Sequence, residues 1–290
     1  MLDYHLHLWQ HGPRALEATV EQVASYCERA AVAGVTEIAL TEHLFRFNQA
    51  DGVLRGWWDA DPDPGLRAAM ASYWDEERGA DLDHYVEVVL AAKATGLPVV
   101  LGLEVDFYRD RMDDVATLLA GYPFDVLLGS VHWLGAWGFD NWEVAAFAAA
   151  WDGRTVEDIW RTYTDALEEL AASGTCDVLA HPDLVKVYGR RPGVDTLDEC
   201  HSRMADAAAR SGMAAEVSSA GLRKPAAEAY PAPSLLAEFK RLGVPVTTAS
   251  DAHRLDHVAD QRPELRKVLA AAGYESLCAF DGRTAKAVAL

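Results

Sequence analysis

Gly96-Leu97-Pro98-Val99-Val100-Leu101-Gly102-Leu103-Glu104-Val105 is the stretch from which the fold follows. Gly96 closes an alanine-rich, charged stretch of helical character, His84 to Thr95. Glycine accepts the left-handed backbone that ends a helix, and Pro98 cannot continue the hydrogen-bond ladder. Val99 to Val105 is then an apolar run of strand length. It carries one carboxylate, Glu104, close to its end. An unpaired charge buried there is costly, so Glu104 needs either a cation or an arginine beside it.

The same unit recurs along the chain. Further strand-like runs are Leu2 to His5, Thr36 to Thr41, Val126 to Val131, Asp177 to His181, Ala214 to Ser218 and Val246 to Ser250. Helical stretches lie between them: Leu16 to Ala33, Val156 to Ala172, Leu197 to Ser211 and Ser234 to Leu242, each followed by glycine. Such alternation predicts an α/β fold with a parallel sheet and helices outside. Seven repeats predict a closed or nearly closed barrel, with an open doubly wound sheet as the alternative.

The ends of these runs carry the chemistry. His5 and His7, Glu42-His43, Glu104, His132, His181, and Asp251 and His253 all stand there, with His11 soon after the first pair. The C-terminal strand ends of a barrel form one mouth. Residues two apart on a strand share a side, so His5 with His7, and Asp251 with His253, can grip one ion. A single one of these histidines reads as a hydrogen-bonded core residue. Their joint recurrence points to divalent transition metals. His84, His201 and His257 fall outside the pattern and receive no role.

The chain of 290 residues is half hydrophobic and 24% charged, with a formal net charge of −19. This length suits one barrel domain over residues 1–290. Residues 44–82 break the rhythm with Trp57-Trp58, Asp59 to Pro64 and Trp74. They read either as a lid or wall over the mouth, or as a helical insertion packed outside. The negative charge argues against nucleic acid or an anionic membrane as partner. Cys27, Cys176, Cys200 and Cys278 form no Cys-x-x-Cys pair and read as thiols of a reducing compartment. No leader or membrane-length apolar run is evident, so a cytoplasmic location is expected.

The order His5-x-His7, Thr41-Glu42-His43, Glu104, His132, His181 and Asp251-x-His253 resembles the polymerase and histidinol phosphatase (PHP) family. Gly102 to Phe107, Gly129 to Gly135, Ala180 to Leu184, Ala220 to Pro225, Tyr230 to Pro233 and Ser250 to Arg254 resemble its monofunctional histidinol-phosphate phosphatase branch. The likeness covers nearly the whole chain. It implies a distorted, TIM-like seven-stranded βα barrel with a multinuclear metal centre at the C-terminal strand ends. Carried over, His5, His7, Glu104 and Asp251 would hold one metal. A bridging Glu104 with His132 and His181 would hold a second, and His11, His43 and His253 a third. Two or three ions of Zn, Fe or Mn are therefore implied, the third depending on His11. The chain departs from the family in having Glu42 where Asp is usual, and in placing His11 closer to His7.

The implied reaction is hydrolysis of a small phosphomonoester, foremost L-histidinol phosphate, by a metal-activated hydroxide. Another small ester, a nucleotide phosphodiester, or metal binding without turnover are the alternatives. Neither a Gly-x-Ser-x-Gly nucleophile setting nor a Gly-rich phosphate loop is present. Arg223, Arg254, Lys186 and Arg161 are the candidate phosphate cations. Asp251 and His253 are the candidates for giving the leaving alkoxide its proton.

Overall fold

The computed structural model describes residues 1–12 and 16–290. Its strands are β1 (Leu2–Leu6), β2 (Glu37–Leu40), β3 (Val99–Asp106), β4 (Val126–Ser130), a small hairpin of β5 (Trp133–Leu134) and β6 (Trp137–Gly138), β7 (Val178–Leu179), β8 (Ala214–Ser218), β9 (Val246–Ala249), and a last hairpin of β10 (Ser276–Asp281) and β11 (Thr284–Ala289). Seven of them form one parallel sheet in the order β1-β2-β3-β4-β7-β8-β9, curled into a nearly closed barrel. β1, β3, β4, β8 and β9 are buried at every residue, as strands covered on both faces must be.

The helices are α1 (Val20–Val32), α2 (Asn48–Leu54), α3 (Pro64–Glu77), α4 (Leu82–Ala94), α5 (Met112–Leu119), α6 (Ala145–Ala149), α7 (Val156–Ala172), α8 (Val194–Ser211), α9 (Pro233–Arg241) and α10 (Arg262–Ala271). Four of their starts are capped by side chains. The Thr19, Asp63, Asp81 and Thr155 side chains each accept from a first-turn N–H. None of the described helices is long and apolar enough to cross a membrane. All four cysteines are buried free thiols.

The seam between β1 and β9 is closed largely by side chains. Among the described residues, backbone pairing there is confined to the His7 N–H and the Ala252 carbonyl, 2.9 Å apart, near a single bridge at Leu6 and Ala252. The buried Asp3 carboxylate accepts from the Ser250 N–H and hydroxyl at 2.7 Å each, and from the Ala259 N–H at 2.8 Å. Thr248 donates its hydroxyl to the Leu2 carbonyl at 2.6 Å. On the neighbouring strands, a Cβ at Gly102 would lie 2.7 Å from the Thr41 methyl and 3.0 Å from the Leu40 carbonyl oxygen, so β2 and β3 approach this closely only around glycine.

The C-terminal hairpin closes the opposite end. Phe280 packs near Tyr4, and Arg283 pairs with Asp177 at 2.6 Å just before β7. Residues 44–82 form α2, a short turn at Trp57–Ala60, and α3. Trp58, Leu66, Met70 and Trp74 are buried. Trp57 contacts Tyr108, and Tyr73 contacts Trp133, with ring centroids 5.3 and 5.7 Å apart. Asp61 accepts from the Ala136 N–H at 2.8 Å and so ties the segment to the β5–β6 hairpin.

Candidate metal centre

Glu104, near the end of β3 and 1% exposed, stands at the middle of the barrel mouth. One of its oxygens, Oε2, faces His5 Nε2 at 3.1 Å, His7 Nε2 at 3.4 Å and His43 Nδ1 at 2.8 Å. The other, Oε1, faces His181 Nε2 at 3.1 Å and His132 Nε2 at 3.6 Å. Asp251 Oδ1 lies 3.9 Å from His5 Nε2 and 3.6 Å from His7 Nε2. The tips of His43 and His253 are 3.3 Å apart. Sharp turns at two strand ends help produce this convergence: His181 and Asp251 have φ of 27° and 49°, rare for residues with a side chain.

The donor set fits divalent cations. Among the described residues, His5 Nε2, both nitrogens of His7, His43 Nδ1 and Glu104 Oε2 are buried without a hydrogen-bond partner. Buried polar atoms are seldom left so unless another partner belongs there. His5-His7-Asp251, His5-Glu104-His181 and His7-His43-His253 each bring one ligand atom per residue within 4.8 Å of the others. His11 belongs to none of these groups. Its ring lies 4.7 Å from that of His253 and 5.2 Å from that of His43.

Charges around the centre ask for a cation. Burial opposes ionisation of Glu104, yet His5, His43 and His132 hold its carboxyl well below the usual range. Burial likewise works against a charged His5, but Glu216, Glu104 and Asp251 hold its imidazole well above the usual range. His132 is raised to about 10 against the effect of burial by Asp106 and Glu104. The carboxylates that raise these two rings are the ones a bound cation would answer, and metal binding would release protons from such rings. His43, by contrast, is pushed down to about 3 by burial, with Glu104 opposing only in part.

A second ring of groups orients the first. Glu216 on β8 lies 2.7 Å from His5 Nδ1, and Asp106 on β3 lies 2.6 Å from His132 Nδ1. Accepting a hydrogen bond from Nδ1–H leaves Nε2 free as a ligand atom. The sequence reading missed both acids, although each shows the signal that singled out Glu104. Glu216 is an acid inside an apolar strand, and Asp106 stands two residues from Glu104. The Glu42 carboxylate does not turn toward His43. It accepts from the Leu8 and Trp9 N–H groups and from Arg46, and lies 3.6 Å from His7 Nδ1. Burial pushes it up to about 7 against the influence of Arg46.

Of the four cations expected to meet phosphate, the structure brings two to the mouth. Arg223 lines the cavity, but its guanidinium is spent on the Ser250 and Asp251 carbonyls at 2.6 and 3.2 Å, so it braces the Asp251 turn. Arg254 stands at the rim, paired with Asp256. Lys186 is a correction: it is fully buried between Asp183 and Glu228, at 2.8 and 2.7 Å, and lines none of the cavity. Arg161 is another, since it pairs with Thr196 and Glu199 where α7 meets α8. Lys224, next to Arg223, was missed. Its backbone bonds Gly221 and Ala227, but its side chain lines the mouth, and among the described residues no hydrogen bond or ion pair engages the ammonium group.

Two cavities of about 530 and 370 Å³ meet over the centre, and both are lined by His11, His43, His132, Asp140 and Lys224. The smaller adds Phe45, Tyr73, Trp133 and Tyr188. The Asp140 carboxylate has no side-chain hydrogen bond or ion pair among the described residues. One side chamber therefore offers aromatic faces and a free acid beside the metal ligands.

Residues 3–220 match the model of the PHP domain. A protein of Deinococcus radiodurans named "Probable histidinol-phosphatase" is 33% identical over 275 residues, covering 92% of this chain and 94% of the relative. The crystal structure of histidinol phosphate phosphatase from Lactococcus lactis, complexed with zinc, L-histidinol and phosphate, aligns with a TM-score of 0.70 at 21% identity, over 98% of each chain. At that identity the second likeness speaks for the fold.

Proposed function

Because this chain belongs to the PHP domain family, we propose that it is a metal-dependent phosphomonoesterase that hydrolyses L-histidinol phosphate to L-histidinol and phosphate. The observation that carries this reading is Glu104 among five imidazoles, with unpartnered ligand atoms, beside a chamber holding a free carboxylate and aromatic rings. The histidinol-phosphatase name of the Deinococcus relative and the L-histidinol and phosphate held by the Lactococcus protein support the substrate.

His5, His7, Glu104 and Asp251 would hold one cation. Glu104, His132 and His181 would hold a second, and His43, His253 and His11 a third. Zn, Fe and Mn all suit this mixed set. When bound, such ions lower the pKa of a water and neutralise phosphoryl oxygens. The chain's own residues do the rest. Lys224 adds a positive charge at the mouth, and Arg223 fixes the Asp251 turn. Asp140 takes the ammonium of the amino alcohol, and Phe45, Tyr73 and Trp133 flank its imidazole. Asp251 and His253 edge the cavity, and whichever of them is not fully occupied as a ligand would pass a proton to the leaving alkoxide. Residues 1–290 act in this reading as one barrel unit. Residues 44–82 form a fixed wall of its mouth, since their aromatics are packed in place.

The test is kcat/KM for phosphate release from a panel: L-histidinol phosphate, other amino-alcohol phosphates, esters without an ammonium group, and a nucleotide diester. L-histidinol phosphate is expected to lead. A diester, or an ester lacking both ammonium and imidazole, turned over more efficiently would overturn the substrate.

A further inference from the structure

The inserted segment does more than wall the mouth. Glu77, the last residue of α3, is 5% exposed and sits beside His11. Its Oε1 accepts from the Gly12 N–H at 2.5 Å, and its Oε2 lies 3.4 Å from His11 Nδ1. Arg46, wholly buried, competes for the same place. Its guanidinium reaches Glu77 Oε2 at 3.4 Å, Glu42 Oε2 at 3.2 Å, the Trp9 carbonyl at 3.0 Å and His11 Nδ1 at 3.2 Å. Tyr73, one helical turn before Glu77, brings its hydroxyl to 3.3 Å from that nitrogen.

Chemistry limits what these groups can do. A guanidinium only donates and a carboxylate only accepts. If His11 Nδ1 accepts from Arg46, the ring proton sits on Nε2, and His11 cannot bind an ion through it. If Nδ1 donates to Glu77, Nε2 is left as the nitrogen free for a cation, beside the rings of His43 and His253. The same logic joins Glu216 to His5 and Asp106 to His132, but there no guanidinium competes for the ring nitrogen.

We propose that Glu77 is a positioning residue for His11. By accepting the hydrogen bond of Nδ1–H against the competition of Arg46, it lets the inserted segment decide whether the third cation is held. This rests on the metal-centred reading above. It assigns to residues 44–82 a task at the centre itself.

The test is Glu77→Gln. The amide keeps an oxygen for the Gly12 N–H but turns an N–H₂ toward His11, which forces the proton onto Nε2. Metal content is measured after equilibration with buffered zinc, and turnover is followed as free zinc is raised. One metal fewer per chain is expected in Glu77→Gln. The zinc concentration for half-maximal turnover should rise about 10-fold or more. Turnover should return to the wild-type level at saturating zinc, which a folding defect would not allow. His11→Gln should shift metal content equally, and the double variant no further. Wild-type metal content in Glu77→Gln, no effect of His11→Gln, or failure of zinc to restore turnover would each overturn the proposal. Substrate preference is a separate readout. If another ester is preferred while Glu77→Gln still loses one metal, the substrate falls and the role of Glu77 stands.

Discussion

Glu104 shows how much one residue can disclose. A carboxylate inside an apolar strand has to be answered by positive charge, and five imidazoles gather on it. The histidines were legible because each ends a strand. Which charged neighbours face the mouth was not legible. In Arg223-Lys224 the first side chain braces a turn and the second lines the cavity free, a difference set by one residue of backbone rotation. Asp140 gave no signal, because it follows a hairpin whose strands are two residues long. Its role is testable alone. Asp140→Asn should lower kcat/KM for L-histidinol phosphate by about 10- to 100-fold, the worth of one hydrogen bond to a charged group. Turnover of a phosphate ester without an ammonium group should stay near the wild-type value. An equal loss on both esters would remove Asp140 from ammonium binding.

At the scale of elements, all seven barrel strands were readable, most to within a residue or two, because buried parallel strands are short unbroken apolar runs between glycine-terminated helices. The Asp177 to His181 run shrinks to Val178–Leu179 because the chain turns sharply at His181. The C-terminal hairpin escaped notice. β11 is mostly exposed and alanine-rich, and lacks the alternation that marks a strand. The seam between β1 and β9 was invisible too, since side chains rather than a ladder close it. Asp3→Ala leaves the Ser250 and Ala259 donors without their acceptor. It should cost about 2–4 kcal/mol of stability, read from the denaturant midpoint. A shift within experimental error would mean that packing alone shuts the barrel.

For the whole molecule, the barrel is what makes the chemistry possible. His5 and Asp251 stand at opposite ends of the sequence and meet only when the sheet curls round to its seam. The centre then gathers carboxylates and imidazoles that ions would satisfy together, so metal binding and folding stabilise one another. The overall charge of −19 leaves the mouth dependent on bound cations, with Lys224 in support, to receive a phosphate. The most direct measurement is phosphate release from L-histidinol phosphate by one preparation, with metals quantified as isolated, after chelation, and after stepwise return of zinc or manganese. Turnover should vanish on chelation, melting should move to lower temperature, and both should recover as two to three metals per chain return. Undiminished turnover by a chain shown to hold no metal would contradict the account at its centre.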